Sequence, residues 1–166
     1  TATAREQLER TLRSGELSAD QLVSAAQLLV SQGDYRGGVQ VLAGRASLED
    51  APREGLILLA TLYAHVGEYE RALEICTPLL DDPQLDVIEL AAGLTAALGH
   101  MDAAQGILDR ASSIAADPAI VAIVRARFAN RWISPEEGMQ GFWRAVTVAP
   151  KRVETWLALL DVVVPR

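Results

Sequence analysis

A turn signal that returns at nearly constant spacing constrains the fold of this chain more than any other feature. Gly33-Asp34-Tyr35 recurs 34 residues later as Gly67-Glu68-Tyr69, and Gly99-His100-Met101 follows after 32 more. A stretch with helical hydrophobic periodicity lies before each signal and another lies after it. A fixed period of this length is typical of arrays of helical hairpins.

The three turn signals mark three pairs of helices, and a fourth pair whose second helix begins at Ser134-Pro135 brings the number of predicted helices to eight. Ser18 with Gln21 reads as a capping box, and Ser134-Pro135 combines a helix N-cap with proline at the first helical position. Pro78 lacks an amide hydrogen, so its helix should kink or end early. The predicted first helices span 22–30, 54–66, 85–98 and 119–132, and the second helices span 36–42, 70–80, 102–114 and 135–148.

Small residues recur at one position in every predicted helix. Two helices reach the lower end of the usual 8–10 Å separation only where side chains are small. We therefore predict that the helices of each pair cross at these residues, with larger apolar residues such as Cys76 beside them in the core. The small residues step by 34, 32 and 34 in both series: Ala26, Ala60, Ala92 and Ala126 in the first helices, and Gly38, Ala72, Ala104 and Gly138 in the second.

The pattern resembles the tetratricopeptide repeat, a helix-turn-helix unit of 34 residues with small residues where its helices cross. The resemblance covers residues 18–150 as four units, with half-units at 4–13 and 153–164. It implies an all-α fold, an α-α superhelix (solenoid) of antiparallel hairpins, and a single domain over residues 1–166 of a longer repeat protein. The fourth unit departs from the pattern at Arg125 and Ile133. An ordinary helical bundle and a Sel1-like hairpin array stay open as alternatives.

The residues that could support catalysis are few. His65 and His100 are the only histidines, and they occupy different positions in successive units. Cys76 falls on the apolar core series, and no Gly-rich phosphate loop, cysteine pair or HExxH element is present. We therefore predict no catalytic residues, no cofactor and no metal site, and we do not expect an enzyme.

Net charge and hydropathy argue against two further classes of protein, those that bind nucleic acid and those that insert into a membrane. A net charge of −7 without a cluster of basic residues disfavours nucleic acid as a partner. The longest apolar stretch, 56–66, is shorter than the roughly 18 residues that span a bilayer, so we expect no membrane insertion. A single cysteine is compatible with the cytosol or the periplasm. Only one of the 15 basic residues is lysine, which suggests a GC-rich bacterial genome.

The resemblance implies that the first helices line a concave face that binds a protein or peptide partner. Apolar positions along that face suit a peptide with aliphatic anchors, whereas the alternative is that they only pack one hairpin on the next. The Lys, Arg and Asn clamp that some members use for acidic chaperone tails is missing. The candidate contact residues are Val23, Gln27, Val30, Ile57, Thr61, Glu89, Ile123, Arg127, Asn130 and Arg131.

The last helical stretch is apolar around most of its circumference, which is rarely left in water. We therefore expect it to form a homo-oligomer or to contact the rest of a longer chain, through Trp156, Leu157, Leu160 and Val163.

The leading hypothesis for the function of the chain is a protein–protein interaction scaffold in a bacterial secretion or envelope assembly. The alternative is a regulatory or substrate-recruiting segment of a larger enzyme or of a thioredoxin-like chaperone.

Overall fold

The computed structural model describes residues 18–43, 52–82, 84–115 and 117–163. The secondary structure of these residues is entirely helical, so the predicted all-α class is confirmed. The chain divides into two compact units, Thr1–Leu79 (unit 1) and Leu80–Arg166 (unit 2), and each is described by itself. The predicted half-unit at 4–13 lies outside the described residues.

Unit 1 contains two helical hairpins. Helix α1 pairs with α2, and α3 pairs with α4. The hairpins pack together because α3 contacts both α2 and α1. This gives the predicted order of first and second helices, with bounds α1 Ala19–Ser31, α2 Tyr35–Ala43, α3 Arg53–His65 and α4 Tyr69–Leu79.

Unit 2 contains two further hairpins and a last helix. Helix α5 pairs with α6, α8 pairs with α9, and α5 packs against α8. The last helix, α10, packs on both α9 and α8. The bounds are α5 Leu85–Ala97, α6 Met101–Asp109, α7 Ala111–Ile114, α8 Pro118–Trp132, α9 Pro135–Val148 and α10 Val153–Val163.

The single helix predicted over 102–114 is divided at Arg110 into α6 and the one-turn α7. The Arg110 amide bonds to the Ile107 carbonyl, three residues back, which tightens the turn. The Ser113 hydroxyl donates to the Arg110 carbonyl at 2.7 Å and so competes with the helical ladder. The Arg110 guanidinium also donates to the Leu80 carbonyl. The two local bonds and the long-range contact with Leu80 together explain why the helix is interrupted at Arg110.

The first three hairpin turns use glycine in the left-handed region. Gly33, Gly67 and Gly99 have φ angles of 78°, 86° and 87°. The residue after each glycine donates its amide hydrogen to a carbonyl five residues earlier, as in a Schellman motif. In the fourth turn Ile133 replaces glycine at φ −113°, and Ser134 still bonds to Ala129. The fourth turn therefore forms the same hydrogen bond without a residue in the left-handed region.

Side-chain caps set several helix starts. Ser18 and Gln21 form the predicted capping box at α1. The Ser134 hydroxyl accepts from the Glu137 amide at 3.1 Å. Asp34 and Asp117 accept from the backbone amides of Gly37 and Ala119 at 2.9 Å each, which satisfies amides that otherwise have no partner in the helix. The capping signals in the sequence are confirmed.

The predicted crossing residues are all buried. Each of the six alanines in the two series is at most 1% exposed, and Gly38 and Gly138 are also buried. A Cβ placed on Gly138 would lie 2.3 Å from the Asn130 Cβ, so α8 and α9 approach too closely for any side chain there. The small residues thus lie at the helix crossings, as their spacing predicts.

Cys76 lies in the core of unit 1 and is fully buried. Burial raises the pKa of its thiol from 9.0 to about 12, which makes it an unreactive apolar group. In the same helix, α4 ends at Leu79, one residue after Pro78. Both outcomes agree with the sequence analysis.

Backbone conformation, not space, should decide the effect of alanine at Gly99 and Gly106. No atom lies within 4 Å of a Cβ placed on either glycine, but only Gly99 has a positive φ. Gly99→Ala should lower the free energy of unfolding by about 1–2 kcal/mol, because a Cβ is strained in the left-handed region. Gly106→Ala, in an exposed part of α6, should raise it by about 0.5–1 kcal/mol. Urea unfolding of both variants tests this, and changes of the same sign would contradict it.

Two adjacent alanines in α6 allow a matched test of the helix crossing. Ala104 is fully buried, whereas Ala103 is exposed. Ala104→Trp should lower the free energy of unfolding by at least about 2 kcal/mol, because the crossing has no room for an indole. Ala103→Trp should change it by less than about 1 kcal/mol. Equal stability of the two variants in thermal unfolding would show that the register of α6 is wrong.

The buried thiol of Cys76 should make stability fall at alkaline pH. Between the unfolded pKa of 9.0 and the folded value of about 12, only the unfolded state loses the proton, so unfolding releases it. The free energy of unfolding should therefore fall by about 1.4 kcal/mol per pH unit in this window from this group alone. Urea titrations at about pH 8 and about pH 10 measure the fall, and Cys76→Ala should show a smaller one. Identical pH dependence of both proteins would contradict the assignment.

Candidate binding surfaces

In unit 1 the first helices, α1 and α3, lie in direct contact. A Cβ placed on Gly55 would lie 3.2 Å from the Val23 Cγ2 atom, and Val23 is half-buried. Val23 therefore packs α1 on α3, which is the alternative that the sequence analysis left open for this position. It contributes to the spacing of the two helices more than to a surface for a partner.

The other candidate residues of unit 1 leave more surface accessible. Gln27 is exposed, while Val30, Ile57 and Thr61 are half-buried. The Thr61 hydroxyl donates to the Ile57 carbonyl at 2.8 Å, so the hydroxyl is satisfied within α3, and Ile57 lies one turn away. The result is a small surface of aliphatic character on α3.

The end of α3 carries an aromatic contact. The His65 ring stacks on the Tyr35 ring with centroids 4.6 Å apart and an interplanar angle of 14°. Its Nδ1 atom lies 2.8 Å from the Thr61 carbonyl oxygen. His65 is therefore a hydrogen-bonded surface histidine that joins the start of α2 to the end of α3.

In unit 2 the adjacent first helices, α5 and α8, present a charged surface. Arg127 of α8 and Glu89 of α5 form an ion pair at 3.6 Å, with both side chains partly exposed. Burial raises the pKa of Glu89, an effect that the charge and hydrogen bond of Arg127 oppose and that nearby Asp86 reinforces. Since Glu89 has already lost part of its hydration, a partner that covers this pair must preserve it or replace its contacts.

Trp132 belongs to the same surface, although the sequence analysis did not select it. Its Nε1 atom lies 3.6 Å from a Cβ placed on Gly93, so the glycine of α5 makes room for the indole of α8. The Arg131 guanidinium lies 5.3 Å from the centre of the Trp132 ring, in cation–π range. Trp132 could have been identified from the sequence, because a glycine on one first helix stands opposite a tryptophan on the next first helix.

Two predicted contact residues of unit 2 serve mainly in packing. Ile123 is 7% exposed and lies in a core cluster with Phe142 of α9 and Leu159 of α10. Because a partner could reach little of it, we assign Ile123 to the core and leave it out of the binding surface. Asn130 is half-buried, and its Cα and Cβ atoms face Gly138 across the α8–α9 crossing.

Arg125 explains one departure from the repeat pattern. Its guanidinium pairs with the Asp109 carboxylate at 2.9 Å and lies 3.4 Å from the Ser112 hydroxyl. A residue type that is unusual at this position is therefore held by two polar groups near the α6–α7 break. The Arg125 guanidinium therefore makes its contacts within unit 2, and its role is structural.

The described residues offer little that could act as a catalytic centre. No three of their His, Cys, Asp or Glu side chains are grouped so that they could hold a metal ion. His100 is exposed at the start of α6, away from any grouping of this kind. None of the helices in the described ranges is long and apolar enough to cross a membrane.

The last helix, α10, has one buried face and one exposed face. Thr155, Ala158 and Leu159 are buried against the rest of unit 2. The other face carries the four predicted residues, all substantially exposed: Trp156 41%, Leu157 55%, Leu160 49% and Val163 51%. Trp143 of α9, which the sequence analysis did not select, extends this face: it is 52% exposed and meets Trp156 edge to face at 6.4 Å.

Searches by sequence found no relative: no protein-family model matches the chain, and no curated protein matches it.

Solved structures are similar at the level of the fold. MamA from Desulfovibrio magneticus is 16% identical, with a TM-score of 0.59 over 87% of this chain and 82% of that one. A thermophilic tetratricopeptide repeat protein of Thermus thermophilus is 17% identical, with a TM-score of 0.64 over 87% and 81%. A tetratricopeptide repeat protein of Parabacteroides merdae is 14% identical, with a TM-score of 0.60 over 98% and 67%. Together with hairpins that cross at periodically spaced small residues, these likenesses show that the chain has the tetratricopeptide-repeat fold.

Proposed function

We propose that this protein is a non-catalytic scaffold that binds a partner protein or peptide through the exposed faces of its first helices. The observation that carries the proposal is the pairing of α5 with α8 in unit 2. There the partly exposed Arg127–Glu89 ion pair accompanies the Arg131–Trp132 pair, in which the exposed guanidinium lies over a half-buried indole that packs against the core of unit 2. Arginine and tryptophan are enriched among residues that dominate binding energy at protein interfaces.

Unit 1 supports the same proposal with different chemistry. The partly accessible side chains of α3 include Ile57 and Thr61, whose hydroxyl is satisfied within the helix, and exposed Gln27 lies on α1. Such a surface suits an aliphatic anchor of a helical or extended peptide. The charged surface of unit 2 suits a partner whose acidic groups approach Arg127 and Arg131.

The cellular context is a further part of the proposal. We place the scaffold in a multicomponent bacterial assembly, of the secretion or envelope type. A recruiting segment of a larger enzyme or of a thioredoxin-like chaperone would use the same surfaces. The charge of −7 and the Arg127–Glu89 pair favour a protein partner over a phosphate backbone, because one of the arginines is already neutralised.

A displayed library of random peptides tests the proposal across many partner chemistries at once. Peptides selected on the wild-type protein should bind Thr61→Arg at least about tenfold more weakly, which corresponds to about 1.4 kcal/mol. Thr77→Arg on α4 is the matched control, because the Thr77 hydroxyl makes the same bond to a carbonyl four residues back, at 2.8 Å, and is exposed. Fluorescence anisotropy with the selected peptides gives the dissociation constants.

The charged surface of unit 2 has its own control in the same experiment. Arg127→Ala should weaken binding of acidic peptides, whereas Arg144→Ala, which removes an exposed arginine from the second helix α9, should leave it unchanged. Peptides that bind all four variants as tightly as the wild type would show that the first-helix surfaces are not the binding sites.

A further inference from the structure

The two adjacent first helices of unit 2 carry opposite charge. The residues of α8 include three arginines and no acidic residue, whereas those of α5 include two acidic residues and no basic one. Arg125 is held by Asp109 near the α6–α7 break, which leaves Arg127 and Arg131 for the surface beside α5. These two arginines stand four residues apart, so their side chains leave one face of α8 with Cβ atoms about 6 Å apart. Two carboxylates one turn apart on a partner helix have the same spacing.

The two arginines differ in how far their charge is already neutralised. Arg131 is exposed, its guanidinium lies over the Trp132 ring, and it has no carboxylate partner among the described residues. Arg127, in contrast, pairs with Glu89 of α5 at 3.6 Å. A partner therefore meets one arginine whose charge is open and one whose charge is compensated from within unit 2.

The contact between Arg127 and Glu89 is loose enough for another carboxylate to replace Glu89. Its distance of 3.6 Å is longer than the 2.9 Å between Arg125 and Asp109 in the same unit. The Arg127 side chain is 53% exposed and that of Glu89 is 38% exposed. An ion pair that water reaches contributes little to stability, because water and salt screen it. A partner carboxylate can therefore take the place of Glu89 on Arg127 without disturbing the hairpin cores.

The environment of Glu89 makes this replacement selective. Burial raises the pKa of Glu89, the charge of Arg127 opposes this effect, and nearby Asp86 reinforces it. No charged side chain of α6 or α7, which also pack on α5, adds to these influences. If Arg127 turns to a partner, Glu89 loses the group that favours its charged form. Glu89 therefore competes to regain Arg127, and only a partner that binds more strongly displaces it.

We propose that Glu89 is an internal competitor for Arg127, and that unit 2 accordingly selects a helical partner segment with two carboxylates one turn apart. One partner carboxylate binds Arg131, and the other displaces Glu89 from Arg127. A segment with a single carboxylate binds through Arg131 and leaves the Arg127–Glu89 pair in place. This inference rests on the proposed function, because it names the partner chemistry of one first-helix surface.

Two synthetic peptides test the competition. Both are alanine-rich and helical, and one carries two glutamates four residues apart, whereas the other has glutamine in place of the second glutamate. The indole N–H of Trp132, beside Arg131, reports binding in nuclear magnetic resonance titrations of isotope-labelled protein, and Trp132→Phe identifies its signal. Glu89→Gln should bind the two-glutamate peptide at least about fourfold more tightly than the wild type does, because glutamine carries no charge that competes for Arg127. It should bind the one-glutamate peptide at most about twofold more tightly.

Two further variants separate competition from a general change of charge. Asp86→Asn is the matched control, because it also removes a carboxylate from α5, whereas Arg127 pairs with Glu89. It should change the affinity for the two-glutamate peptide by less than about twofold. In a protein that carries Arg127→Ala, the addition of Glu89→Gln should not strengthen binding, since the guanidinium for which the carboxylates compete is missing. Far-ultraviolet circular dichroism confirms that each variant is folded.

The outcomes distinguish this inference from the proposed function. The inference is overturned if Glu89→Gln gives no gain for the two-glutamate peptide, an equal gain for both peptides, or a gain that persists without Arg127. The proposed function would still stand in each of these cases if library peptides bind the wild type and lose affinity in Thr61→Arg or Arg127→Ala. Library peptides that ignore both substitutions would instead contradict the proposed function.

Discussion

The close approach of paired helices at alanine and glycine is the constraint on which the rest of this structure depends. At the α8–α9 crossing the backbone of α8 lies so near Gly138 that no Cβ fits between the helices. Such contacts leave no freedom to rotate a helix, because rotation would bring a larger side chain into the crossing. The crossing therefore determines which residues enter the core and which face of each first helix stays accessible for binding.

Much of the fold follows from the sequence because its determinants are local and periodic. Turn glycines, capping serines and small residues each act within one hairpin, so their spacing alone predicted the pairing of the helices. The break at Arg110 was missed because it depends on the Ser113 hydroxyl, which competes with the helix, and on the distant Leu80 carbonyl. Ile123 was assigned to a surface because the register predicted the last helix at 153–164 without showing that Leu159 of this helix shares a core cluster with Ile123.

The candidate binding surfaces were predicted less completely than the fold, for a physical reason. A register identifies which positions face outward, but the surface also depends on pairs of residues from neighbouring helices. Trp132 packs beside α5 because Gly93 leaves space for its indole. Val23 is half-buried because Gly55 brings α3 against it. In both units, therefore, a glycine on one first helix partly buries a larger side chain of the neighbouring first helix.

The departures from the repeat carry information that the regular positions do not. Arg125 replaces an apolar residue and finds Asp109, while Ile133 replaces a turn glycine and the turn still closes through Ser134. These two changes are compensated within unit 2. Leu160 is different, because nothing within the described part of unit 2 covers it, and it interrupts an alanine series that is otherwise buried. An uncompensated departure of this kind lowers the solubility of the isolated unit, so it is expected to persist only where another surface buries the leucine.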